Sequence, residues 1–121
     1  MLDHISLSVA NYAISRDFYV KALKPLGYEL AMEFGEAAGF GVGGKPDFWI
    51  GAGKAQQPPL HVAFASPDRA TVEAFYRSAI AAGGKDNGPP GLRAQYHPTY
   101  YGAFVLDPDG NNIEAVCHTA K

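Results

Sequence analysis

The chain has 121 residues, 47% of them hydrophobic and 18% charged, and a formal net charge of -2. That length suits one domain whose core needs no disulfide or metal to hold it, and the charge speaks against nucleic acid or an anionic membrane as partner. One cysteine, Cys117, excludes an intrachain disulfide and a cysteine zinc cluster; with no apolar run near the roughly 20 residues of a membrane span and no signal-peptide pattern, a cytoplasmic protein is expected.

The first strand is expected from alternation, with Ile5, Leu7 and Val9 on one face and His4, Ser6 and Ser8 on the other. A helix follows, its apolar row running through Ile14, Phe18, Ala22 and Leu26. Three short strands, "YELAMEF", "AAGFGV" and "DFWIGA", complete this part of the chain. Alternation then returns, with Val62 and Phe64 opposing His61, Ala63 and Ala65. The second helix is predicted to start from a Ser66–Pro67 cap, to carry Val72, Phe75, Tyr76, Ala79 and Ile80 on one stripe, and to end at Gly83–Gly84. A strand near Lys85 leads into an irregular connection from Pro89 to Thr99, and then come "YYGAFVL" and "NIEAVCH".

The two halves repeat one unit. His4, Phe18, Tyr19, Ala22 and Gly27 match His61, Phe75, Tyr76, Ala79 and Gly84 at a constant offset. The expected fold is therefore α+β, one domain over residues 1–121. Two pseudo-symmetric β-α-β-β-β units, about 1–55 and 58–121, would form a cup-shaped mixed sheet with helices outside. The turn Asp107-Pro108-Asp109-Gly110-Asn111 suits a type I turn closed by a left-handed glycine. If Asp107 pairs with Asn111, Glu114 lies opposite Phe104 and Val116 opposite Gly102. Tyr100, Gly102 and Phe104 would then line the cup beside Glu114, and Tyr101 would point away.

A lone strand histidine is more often a hydrogen-bonded structural residue than a ligand. The repeat changes that weighing, because His4 and His61 are the same residue of the same unit and would reach equivalent places on one concave face. Two imidazoles and the Glu114 carboxylate make a 2-His-1-carboxylate set suited to a divalent cation with open coordination positions. The cation would offset a carboxylate otherwise buried unpaired.

The duplicated unit, His4, "HVAF" at His61 and "DPDGNNIEAV" around Glu114 resemble the vicinal-oxygen-chelate superfamily, which includes glyoxalase I, bleomycin-resistance proteins and extradiol dioxygenases. The resemblance covers nearly the whole chain and is specific for the superfamily, not for one reaction. It implies His4, His61 and Glu114 as ligands of one divalent ion per chain, with Fe, Mn, Zn, Ni and Co not distinguished. It also implies a homodimer, with His4 able to join His61 and Glu114 of a neighbouring chain. Trp49 stands where glyoxalase I would have a second glutamate. That departure sets the two-His, one-Glu dioxygenases and fosfomycin-resistance thiol transferases nearer than glyoxalase I.

The leading expectation is a metal-dependent enzyme, a glyoxalase-like lyase or a ring-cleaving dioxygenase type. Its small substrate would chelate through neighbouring oxygens, by lyase, isomerase, thiol-transfer or dioxygenase chemistry. The alternative is a metal-free small-molecule binding protein of the bleomycin-resistance kind. Trp49, Tyr100, Phe104 and Arg93 are the candidate pocket residues, with Tyr100, Tyr101 and His97 as candidate proton carriers.

Overall fold

A computed structural model of the protein describes residues 1–120 and contains two mixed sheets and two α-helices. The first half runs β1 (Ile5–Val9), α1 (Tyr12–Ala22), β2 (Glu29–Phe34), β3 (Ala37–Val42) and β4 (Lys45–Ala52). The second runs β5 (His61–Ala65), α2 (Arg69–Ala81), β6 (Lys85–Asp86), β7 (Gly91–Leu92), β8 (Tyr101–Leu106) and β9 (Asn112–Cys117). Sheet one has the order β1-β4-β3-β2; sheet two has β5-β9-β8-β6, with β7 paired to β8. In each, the first strand lies parallel to the last and the other pairings are antiparallel. The helices cover one face of each sheet, giving the expected α+β arrangement.

Local chemistry explains the helix ends. Asn11 caps α1 by accepting the Ile14 N–H at 3.1 Å. A 3-10 turn, Lys24–Leu26, then closes on Gly27 at φ +84°. In α2 the cap is Asp68, not Ser66. Asp68 Oδ1 accepts the Thr71 N–H at 2.7 Å, while Ser66 Oγ donates to the Asp68 carbonyl at 2.8 Å. A carboxylate is the stronger acceptor and complements the positive helix start, so the cap lies two residues further on.

The row expected on α1 is also corrected. Ile14 is 55% exposed, and the buried residues are Tyr12, Ser15, Phe18, Tyr19 and Ala22. Four residues turn a helix by about 40° more than a full circle, so a row spaced by fours drifts off the buried face. The stripe of α2 behaves as expected, with Val72, Phe75 and Ala79 buried.

One core joins the halves. Phe48 of β4 meets Phe64 of β5 at 5.4 Å between ring centroids, and Tyr19 of α1 meets Phe48 at 4.9 Å. Each large ring buried there contributes on the order of 2–3 kcal/mol. The turn between β8 and β9 ties the halves by hydrogen bonds as well. Fully buried Tyr19 donates its hydroxyl to Asp107 Oδ2 at 2.5 Å, and the Ala10 N–H donates to Asp109 Oδ2 at 3.0 Å. Burial, followed by the Asp107 charge, pushes the Tyr19 phenol well above its ordinary pKa.

Candidate active site on the open face of the second sheet

The β8–β9 register places the site. Gly110 adopts φ +88°, Asp107 and Asn111 close the turn at 2.9 Å, and Phe104 lies opposite Glu114. Asn112, Glu114 and Val116 therefore face away from α2, while Ile113, Ala115 and Cys117 enter the core. Alternation carries His118 to the same side as Glu114. It is the residue overlooked in the sequence, and the same period of two would have found it.

Glu114 is 0% exposed, although it sits on the helix-free face. His61 of β5 covers one side, its Nε2 2.6 Å from Glu114 Oε1. Tyr100 covers the other, donating its hydroxyl to Glu114 Oε2. A Cβ at Gly102 would lie 3.2 Å from both Glu114 Oε2 and Tyr100 Cε1, so a side chain there would crowd this pair and push it by a few tenths of an ångström. Burial first, then the hydrogen bond to Glu114 and its charge, raises the Tyr100 pKa far above the ordinary tyrosine range. Tyr100 therefore remains a protonated donor at neutral pH.

The 89–99 connection is less irregular than its sequence suggests. Gly91–Leu92 pairs with Tyr101 and Gly102, and the Arg93 N–H donates to the Tyr100 carbonyl at 2.7 Å. This hairpin brings Arg93 and His97 to the face. Arg93 Cζ lies 5.3 Å from the Phe104 ring centroid. His97 hydrogen-bonds through Nε2 to His118 Nδ1, with ring centroids 4.7 Å apart. Tyr100 stands between them and the carboxylate, its ring 5.4 Å from His97 and 5.3 Å from His118. Tyr101 points away, donating to Glu73 at 2.7 Å with Arg69 over its ring.

Trp49 is elsewhere. It pairs with Ser6 and Gly39 on the helix-free face of sheet one and stacks on Phe34 at 6.0 Å and 13°. Because Ser6 pairs with Trp49 as Ala63 pairs with Glu114, the two residues hold equivalent places in the two sheets. His4 also stays with sheet one. Its Nδ1 bonds Asp3 at 2.7 Å, and it borders a cleft of about 180 Å³ that reaches Phe64 and Ala65 at the far end of β5.

Within one chain, then, His61 and Glu114 meet and His4 does not join them. Among the described residues no three His, Cys, Asp or Glu side chains converge as a metal site. Equivalence under a pseudo-twofold axis is not proximity, and β1 and β5 belong to separate sheets rather than one continuous one. The imidazole and carboxylate are the right donor types for a divalent ion. One chain supplies only these two, and both carboxylate oxygens are engaged by His61 and Tyr100.

The family model described as "Glyoxalase/Bleomycin resistance protein/Dioxygenase superfamily" matches residues 1–115. A glyoxalase/bleomycin resistance protein from Albidiferax ferrireducens T118 is 28% identical, with a TM-score of 0.80 over 97% of this chain and 98% of that one. Two more distant structures share the fold. One, a glyoxalase/bleomycin resistance protein/dioxygenase family enzyme from Burkholderia phytofirmans PsJN, is 18% identical, with a TM-score of 0.75 over 98% of both chains. The other, a glyoxalase-related enzyme from Fulvimarina pelagi, is 19% identical, with a TM-score of 0.73 over 97% of this chain and 87% of that one. No curated protein matches the sequence.

Proposed function

The chain belongs to the glyoxalase/bleomycin resistance protein/dioxygenase superfamily, and from that premise we propose that it is an enzyme acting on a small molecule held against His61, Glu114 and Tyr100. The observation that carries this is the wholly buried Glu114 carboxylate on a face that no helix covers. A buried carboxylate costs several kcal/mol unless it is compensated. A structural role would be met more cheaply by an apolar residue.

In this reading His61 and Glu114 would hold a divalent ion, with His4 of a second copy as third ligand, and such an ion would supply Lewis-acid character there. Tyr100 orients the Glu114 carboxylate and presents a phenolic proton beside it. Lyase, isomerase, thiol-transfer and dioxygenase chemistry all fit this set. The second copy completes a homodimer, for which the exposed apolar pair Met32 and Phe34, on the helix-free face of sheet one, is the surface we assign. The reducing cytoplasm suits the buried free thiol of Cys117.

Elemental analysis tests the reading. One divalent ion per chain is expected in the parent and almost none in Glu114→Ala; equal content in both would overturn it. A second reading, a metal-free small-molecule binder of the bleomycin-resistance kind, draws support from the two-donor geometry within one chain. It is favoured if the parent binds no metal yet keeps a ligand on this face.

A further inference from the structure

We propose that the cleft beside Phe104 seats an acidic group of the ligand, so that the molecule held on this face is a small organic acid. The proposal rests on the reading of the His61–Glu114 face as the ligand site and names the class of ligand. The cleft measures about 260 Å³, and its lining includes Arg93, Tyr96, Phe104, Asn112 and Gly88. That is the liquid volume of roughly nine waters, enough for a ring bearing a carboxylate. Arg93 is its one charged lining residue, and no acidic side chain forms an ion pair with it among the described residues.

The guanidinium faces solvent but is tethered. Its Nη2 donates to the Pro89 carbonyl at 2.7 Å, and its plane lies near the Phe104 ring. A Cβ at Gly88 would lie 3.2 Å from Nη2 and 2.9 Å from Phe104 Cδ1; one at Gly91 would lie 3.1 Å from Nη1. Two glycines thus form the cradle in which the cation sits. A guanidinium has five N–H donors in a rigid fork, so one backbone bond leaves most of the fork for a planar acceptor such as a carboxylate.

Two features join this cleft to the candidate site. Phe104 lies opposite Glu114 in the ladder, and its ring centroid is 6.2 Å from that of His61. Asn112, two residues before Glu114 and opposite His61 in the β5–β9 ladder, has a buried Oδ1 with no hydrogen-bond partner. Asn112 thus places the cleft directly beside the His61 strand, and the fork of Arg93 there fits a carboxylate.

The test uses 2-hydroxybenzoate and its neutral counterpart 2-hydroxybenzamide, titrated into the full chain in the presence of a chelator. Amide resonances of Gly88 and Asn112 report the binding. The parent should bind the acid at least tenfold more tightly than the amide. In Arg93→Gln that ratio should fall to about one while affinity for the amide holds within twofold. Equal affinity for acid and amide in the parent overturns the proposal. So does an equal loss of both in Arg93→Gln, or no binding of either at millimolar concentration. Because metal is withheld, failure of the metal assignment leaves this ratio unchanged, and the two ideas fail separately.

Discussion

The open faces of the two sheets are built on one register and filled in opposite ways. In sheet one, Trp49 of β4 lies across Gly39 of β3; in sheet two, Glu114 of β9 lies opposite Phe104 of β8. The ring has moved to the neighbouring strand, and a glutamate stands where the indole was. A Cβ at Gly39 would come within 2.8 Å of three Trp49 ring atoms, so the indole lies flat only because that neighbour has no side chain. Sheet two makes room differently, with Gly102 beside the Glu114–Tyr100 pair. One position thus yields an apolar surface stacked on Phe34 in the first sheet and a compensated charge in the second. Duplication supplies the frame, and a few substitutions on the open face decide which copy carries the buried, hydrogen-bonded carboxylate.

The widest break in that comparison runs between adjacent residues of β4. Phe48 is buried and Trp49 half-buried on the open face. Phe48→Glu should abolish cooperative unfolding, because an unpaired buried charge costs several kcal/mol. Trp49→Glu should fold, with circular dichroism separating the two.

Next in size is the bond between the halves. Tyr19→Phe strips a buried hydroxyl from Asp107, and about 1–3 kcal/mol should be lost in urea unfolding.

Alkaline titration sharpens the contrast between the faces. Tyr100 has its pKa raised by burial and Glu114, and Tyr12 is pushed up to about 12 by burial and its bond to Glu33. A group with a raised folded pKa contributes stability that is intact below its unfolded pKa near 10 and is lost as pH climbs toward the folded value. Stability should therefore fall above about pH 10, and less steeply in Tyr100→Phe and in Tyr12→Phe, as read by chemical denaturation across pH.

The smallest expected effect is at Phe34, which is 61% exposed. Phe34→Ser gives up the stacking on Trp49 and should cost about 0.5–1.5 kcal/mol while shifting the sedimentation coefficient from dimer to monomer. An unchanged sedimentation coefficient would remove this pair from the proposed contact.

Much of the open face of sheet two was legible in the residues. Strand alternation and the glycine turn suffice to place Glu114 opposite Phe104, bring Tyr100 into the site and turn Tyr101 away, because both are rules about neighbours in the chain. The Asp68 cap was harder to read, since Ser66, Pro67 and Asp68 are all favourable starts and only hydrogen-bond geometry chooses among them. The 89–99 hairpin escaped because a two-residue strand has no period to detect, so the cradle around Arg93 could not be anticipated.

By itself, then, the sequence determined the repeated unit, the strand faces and the ladder that buries Glu114 beside His61. Only the tertiary structure decided where His4 goes. The distance between two repeats depends on how their cores meet, through contacts such as Phe48 on Phe64 and Tyr19 on Asp107, and no local pattern encodes that distance. Those contacts set the sheets side by side, keep β1 and β5 out of one hydrogen-bonded ladder, and leave His4 with Asp3 rather than with Glu114.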